Sequence, residues 1–328
     1  MVRARVLCRE GCEIVKRVGA VVLNYNCSSL TKRCCEALLD IRGGRQGIEI
    51  VVVDNCSADS DLRNLRGVTS SIGVTLLESK SNGGYSAGNN IGIKHLLKMG
   101  CDFVLVVNPD VIISPTAVGK LVSAFEQDED ALFAGPRIVG ADGSIDRRAQ
   151  IFRRWGYYAT FFSKYPLSKI KLTGLDSRYY RTSRDFSVDT PVFTVSGCCV
   201  LFKASFFRDC GFLDEAYFMY NEEVTWGLKA QTCRQGGHGL YVASAEAIHD
   251  HPKSSGAASP FTVTQRMKSN LIYCEKYLRC SRMQKLLLLS YYRLSYCYLS
   301  RSNDSFIDHR SAFIAAQREA MSYCEVDE

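Results

Sequence analysis

Four apolar runs in the first 110 residues each stop abruptly in polar side chains. Val18-Gly-Ala-Val-Val-Leu23 gives way to Asn24-Tyr25-Asn26, and Ile48-Glu-Ile-Val-Val-Val53 to Asp54-Asn55. The run near Val74 ends at Glu78, and Phe103-Val-Leu-Val-Val107 ends at Asn108-Pro109-Asp110. Continuous Val-rich runs of this length predict strands buried on both faces, the habit of parallel sheets. Between the first two, Leu30, Cys34, Leu38 and Leu39 share one helical face from a Ser28 or Ser29 cap to a Gly43-Gly44 stop. A second helix, over about Ile91 to Met99, follows Asn82-Gly83-Gly84-Tyr85-Ser86-Ala87-Gly88-Asn89-Asn90. Strand alternating with helix predicts an α/β fold whose mostly parallel, Rossmann-like sheet has right-handed crossovers. Ligands of such sheets bind at the carboxyl edge, where the polar strand ends gather.

Each polar end has a structural and a chemical reading. Asn108-Pro109-Asp110 is a turn by composition, and also a hard oxygen ligand placed at a strand end. The glycine-rich stretch lacks the Gly-Lys-Ser/Thr of a P-loop and is not G-x-G-x-x-G, but glycines before a helix let backbone N–H groups approach a phosphate. Beyond Gly135-Pro136 the pattern loosens, and the basic, aromatic stretch Arg147 to Tyr180 reads as a mobile loop over the site. Order returns over Val192 to Phe202, which carries Ser196-Gly197, and a helix opens at Glu222-Glu223. Acids there gain from the helix dipole. The same pair suits general-base chemistry, because one carboxylate beside another has a raised pKa. His249 and His251 alternate after the apolar segment Ala245 to Ile248, and one of them is a candidate metal ligand.

With 328 residues, 46% of them hydrophobic, the chain can bury the core of one large α/β domain or of one and a half. Its apolar run near the C-terminus, Leu286 to Tyr292, is too short to span a bilayer, and Met1 to Arg17 has no signal-peptide core, so a cytosolic protein is expected. The 15 cysteines form no C-x-x-C pair, and Cys34-Cys35 and Cys198-Cys199 sit among apolar residues, which predicts reduced, buried thiols. The net charge of +7 is concentrated in one segment: Lys253 to Arg301 holds nine bases against the single acid Glu275. With the tyrosines and leucines among them, these bases suit either an anionic membrane surface or an ordinary solvated helical pair. No recognised nucleic-acid module accompanies the charge, so nucleic acid is not expected as a partner.

Taken in order, Val22-Leu-Asn24-Tyr25-Asn26, Val53-Asp54-Asn55-Cys-Ser57, Asn82 to Asn90, Asn108-Pro109-Asp110, Ser196-Gly197, Gly211-Phe-Leu-Asp214-Glu215 and Glu222-Glu223 resemble the family 2 inverting glycosyltransferases, above all their rhamnosyltransferase-like branch. The resemblance covers roughly residues 17 to 280. It implies a GT-A fold with a helical C-terminal extension: an arm over 1–16, a catalytic domain over 17–255 divided near 135 into nucleotide-sugar and acceptor halves, and a basic, aromatic region over 256–328. It implies that Asn24, Asn26, Asp54, Asn55, Asn82, Gly83, Gly84, Asn108 and Asp110 surround the donor. Asp110 becomes the principal ligand of Mg²⁺ or Mn²⁺, with Asn108 supporting and His249 near the metal or diphosphate. Glu223 is the implied base with Glu222 as its alternate, and Ser196, Gly197, Asp214, Glu215 and Trp226 fall on the acceptor side. Two departures from the family pattern touch the base: Glu223 stands where the family has Asp, and Thr225 replaces an acid. The implied reaction moves a sugar from a nucleoside-diphosphate donor, dTDP-L-rhamnose first and a UDP-hexose or galactofuranose next, to a lipid-linked or polysaccharide acceptor such as an O-antigen or capsule precursor. A non-catalytic nucleotide-sugar-binding protein is the competing reading.

Overall fold

The computed structural model describes residues 4–7, 13–42, 48–162, 174, 176–233, 236–250 and 259–323. The chain opens with a hairpin, β1 (Ala4–Leu7) and β2 (Glu13–Lys16), followed by β3 (Val18–Asn24), α1 (Ser28–Arg42), β4 (Glu49–Asp54), α2 (Asp59–Ile72), β5 (Thr75–Glu78), α3 (Gly84–Lys98) and β6 (Phe103–Val107). Next come β7 (Val111–Ile113), α4 (Ala117–Gln127), β8 (Ala131–Val139), β9 (Gln150–Ile151), α5 (Tyr157–Phe162), a π-helical turn at Asp176–Tyr180, β10 (Thr190–Val192), β11 (Thr194–Val195) and β12 (Cys199–Lys203). The remainder is α6 (Ala204–Asp209), α7 (Glu222–Thr232), β13 (His238–His249), α8 (Pro260–Lys276), α9 (Arg282–Leu299), α10 (Ser305–Asp308) and α11 (Arg310–Tyr323).

Nine strands form one sheet in the order β10-β13-β8-β12-β6-β3-β4-β5, with β7 added along β13. The block β6-β3-β4-β5 is parallel, as the apolar runs predict. Alternate residues of β3 serve opposite faces: Val18, Ala20 and Val22 pack with Cys34, Leu38 and Leu121 of α1 and α4, while Val21 packs with Ile93 and Leu96 of α3. Register puts Asn24 beside Asp54 and Asp54 beside Glu78, so the polar ends form one row. Beyond β8, a bulge in β13 between Val242 and Glu246 carries its last residue, His249, alongside Val111, next to Asp110. The C-terminal helices have their own core, which includes Leu271, Leu288, Tyr292, Tyr296 and Phe313.

Several expectations need correction. The helix expected from Ile91 begins at Gly84, because the glycine-rich stretch is itself its first two turns. Its polar Ser86, Asn89 and Asn90 are buried, and Asn90 is held by Leu213, so these residues read as loop although they pack as helix. The ordered run Val192 to Phe202 is built of three short strands with a turn at Ser196–Cys198. Part of the expected mobile loop is packed: Trp155 is buried and its carbonyl accepts from Tyr273 Oη at 2.9 Å. Residues 163–173, the Gly43-Gly44 stop, His251 and Lys253 lie outside the described residues. The described cysteines are all free thiols. Several bases of the C-terminal segment have acidic partners that local counting misses, Lys268 with Glu319 at 2.5 Å and Lys276 with Asp214 at 2.8 Å, while Lys285 pairs with Glu275.

Candidate active site

At the ends of β3 and β4 the polar side chains form a closed network. Asp54 is 1% exposed; its Oδ1 accepts from Asn24 Nδ2 (3.0 Å) and Ser57 Oγ (2.6 Å), and its Oδ2 from the Ser57 N–H (3.0 Å). Asn24 is fully buried and its Oδ1 accepts from Thr31 Oγ1 at 2.7 Å. These two, expected to line the donor pocket, have hydrogen-bond partners inside the protein. Asn26 sits on that loop with φ 54°, and its Oδ1 accepts from the Ala58 N–H at 2.8 Å.

Asn55 extends the network sideways. Its Nδ2 donates to Asn82 Oδ1 (2.9 Å) and to the Gly84 carbonyl (3.1 Å), while its Oδ1 accepts from the Gly83 N–H at 3.3 Å. The amides at the start of α3, a candidate phosphate cradle, are engaged as well: Gly84 N–H donates to Asn82 Oδ1 and Tyr85 N–H to the Phe218 carbonyl. Gly84 has φ 84°, and a Cβ there would lie 2.0 Å from that same carbonyl oxygen. Glycine is required because the helix start meets the 218–223 segment backbone to backbone.

That segment delivers the carboxylates. Tyr220 and Asn221 both have φ 71°, an αL pair that turns the chain sharply into α7. Glu222 is buried, and desolvation together with the Glu223 charge pushes its pKa up to about 8. Glu223 is less enclosed; burial raises its pKa, against the pull of the Gly197 N–H and the Arg266 charge. Its Oε1 accepts from Gly197 N–H at 3.3 Å, and Thr194 Oγ1 donates to its carbonyl at 2.7 Å. Thr225, in place of the family acid, is buried and donates to Tyr217 Oη at 3.2 Å, a packing role.

The turn Ser196-Gly197-Cys198 joins the two halves of the site. The Gly197 N–H holds Glu223, the Gly197 carbonyl accepts from Tyr85 Oη at 2.7 Å, and the Cys198 carbonyl accepts from the Asn108 N–H at 2.8 Å. Asp110 follows, with its Oδ2 3.3 Å from His249 Nε2 and both side chains largely buried. Burial opposes charge on His249, yet Asp110 and Cys198 hold its pKa up at about 10. Among the described residues no three His, Cys, Asp or Glu side chains surround a point that would hold a metal by themselves. Asp110 and His249, with Asn108 two residues before, are too few to enclose a divalent cation by themselves, so such an ion would need further oxygen ligands from outside the protein.

The expected acceptor residues divide. Ser196 and Gly197 are at the site; Trp226 is 1% exposed, edge-on to Phe202 in the core beneath Gly197, and cannot face a ligand. Asp214 is bound by Lys276 and Tyr277, and Glu215 by Asn90 and Lys94, so both tie the Gly211–Glu215 loop to neighbouring helices. Sequence reading gave no role to Tyr85 or Cys198 and counted Arg266 only as charge. The signal for Tyr85 was its place inside the glycine-rich motif; nothing along the chain links it to Gly197.

The family model described as "Glycosyl transferase family 2" matches residues 20–211. An N-acetylglucosaminyl-diphospho-decaprenol L-rhamnosyltransferase of Mycobacterium tuberculosis is 30% identical over 69% of this chain and 74% of its own length. A low-salt glycan biosynthesis hexosyltransferase of Haloferax volcanii is 25% identical over 75% of this chain and 71% of its own. A dTDP-rhamnosyl transferase of Shigella flexneri is 25% identical over 65% of this chain and 62% of its own. Among solved structures, a mannosyltransferase from Pyrobaculum calidifontis in complex with GDP-Man and Mn²⁺ superposes with TM-score 0.52 at 15% identity, over 93% of this chain and 75% of that one.

Proposed function

Because the chain belongs to glycosyl transferase family 2 and has the GT-A fold, we propose that it is an inverting, metal-dependent transferase using dTDP-L-rhamnose, with a UDP-hexose as the alternative donor. The acceptor is a hydroxyl of a lipid-linked glycan precursor of the bacterial surface, met at the cytoplasmic face of the membrane. The observation that carries this reading is the Ser196–Cys198 turn, which fixes the Asn108–Asp110 segment with one residue and Glu223 with its neighbour. On this reading the turn supports both the diphosphate-binding edge and the base.

Glu223, open to the site and oriented by the Gly197 N–H, takes the proton of the acceptor hydroxyl. The freed oxygen pair forms the new bond to the anomeric carbon from the face opposite the leaving group, whose C–O bond breaks with its electrons leaving on the diphosphate. Asp110 and Asn108 would hold Mg²⁺ or Mn²⁺, joined by His249 once it gives up the proton that Asp110 stabilises, and the ion would offset charge on the departing nucleoside diphosphate. Glu222, protonated near neutral pH, keeps the pair from carrying two buried charges.

The test is a thermal-shift series with nucleotide sugars, with and without Mn²⁺. Saturation with the true donor at ~100 times its Kd stabilises by about 2.7 kcal/mol. dTDP-L-rhamnose is expected to give the largest shift, Mn²⁺ to increase it, and Asp110→Ala to abolish the increase. A variant that kept the full Mn²⁺ effect would remove Asp110 from the metal site.

A further inference from the structure

We infer that α9, with the adjoining helix α5, is a docking face for an anionic lipid bilayer. Met283, Leu287, Leu294 and Tyr298 recur at helical spacing along α9 and are 68%, 53%, 71% and 55% exposed. The opposite side of the same helix is already committed, with Leu288, Leu289, Tyr292 and Tyr296 buried in the C-terminal core. Burying one face fully while leaving large apolar side chains along the other calls for a second apolar contact.

Charge and composition select the occupant. The helix has no acidic residue, and Arg282 and Arg301 are exposed at the two ends of the stripe. Its own lysine, Lys285, is turned inward onto Glu275, so the outward charge is arginine. The stripe is widened by α5, where Tyr158 is 72% exposed. The two helices are fixed together by Phe161 against Tyr291 (centroids 5.1 Å) and by Tyr157 Oη donating to the Gln284 carbonyl at 2.9 Å. Apolar and tyrosine side chains flanked by arginines are the composition of a helix lying in the headgroup plane. Among the described residues no helix is long and apolar enough to cross a membrane, so the contact is one of surface docking. Such a face would deliver the site to an acceptor embedded in lipid, and it stands independently of the transfer reaction.

Flotation of the full chain with vesicles tests it, using phosphatidylcholine alone and phosphatidylcholine mixed with phosphatidylglycerol. Binding is expected to the mixed vesicles only and to weaken with salt. Arg282→Gln with Arg301→Gln should reduce it by roughly fivefold per arginine. Leu287→Glu with Leu294→Glu should reduce it at least about thirtyfold, because both leucines lose apolar burial. Both pairs are exposed, so an unchanged melting temperature and unchanged nucleotide-sugar thermal shift certify the fold and the site. Equal capture by both vesicle types, or wild-type capture of the leucine variant, would overturn the inference. So would a concentration-dependent dimer, seen by sedimentation and broken by the leucine variant, in a chain that no vesicle captures; the face would then belong to a second copy.

Discussion

Glu223→Gln is expected to lower kcat by about 10²- to 10⁴-fold, the usual contribution of a positioned general base, while the donor Kd stays unchanged. The amide is nearly isosteric and can still accept from Gly197 N–H, so the turn and the Asn108 edge keep their places. What is lost is the capacity to take a proton. The acid limb of wild-type kcat/KM should lie above the ordinary carboxylate range, because burial raises the Glu223 pKa. Glu222→Gln behaves oppositely in stability. With a folded-state pKa of about 8 against an ordinary 4.5, Glu222 keeps its proton after the unfolded chain has released it. Its contribution to stability is complete below pH 4.5 and is lost as pH rises through about 8. The Gln variant escapes that loss, gaining on the order of a few kcal/mol at alkaline pH and little in acid. Melting curves from pH 4.5 to 9 and pH-rate profiles of both variants separate the roles; an active Glu223→Gln enzyme would move the base to Glu222.

Gly84→Ala is the second large effect, with an expected destabilisation of roughly 3–5 kcal/mol. Two costs combine: a positive φ that disfavours any side chain, and a Cβ set 2.0 Å from the Phe218 carbonyl oxygen. That oxygen belongs to backbone and accepts the Tyr85 N–H, so relief requires moving the 218–223 segment and Glu223 with it. Activity should therefore fall further than stability alone predicts. Gly67→Ala is the control, since a Cβ there meets nothing within 4 Å on an exposed part of α2. It should stabilise the helix by about 0.5–1 kcal/mol. Denaturant unfolding of the two variants, with kcat measured on the folded fraction, checks both signs.

The parallel half of the sheet was legible because strands buried on both faces write themselves as unbroken apolar runs, and β3 ends at Asn24 where its run ends. The start of α3 was not, since Ser86, Asn89 and Asn90 are polar residues buried by long-range partners such as Leu213, and pattern alone assigns such residues to loops. Trp226, set on the acceptor side by the resemblance, fails for the converse reason: helical phase sends it into the core under Gly197. Asp54 and Asn24 were visible as polar strand ends, yet whether such groups face a ligand or each other depends on Ser57 and Thr31, whose positions only folding fixes. The Tyr85–Gly197–Glu223 connection spans three segments, the first two 112 positions apart, and no local signal encodes it.

In the proposed function, Glu223 and the Asp110 edge serve a single displacement at an anomeric carbon. NMR of the glycoside made from the donor selected by thermal shift tests it most directly, through the one-bond C–H coupling of the transferred sugar. The expected product has the anomeric configuration opposite to that of the donor; a product with the donor's configuration would rule out a single displacement.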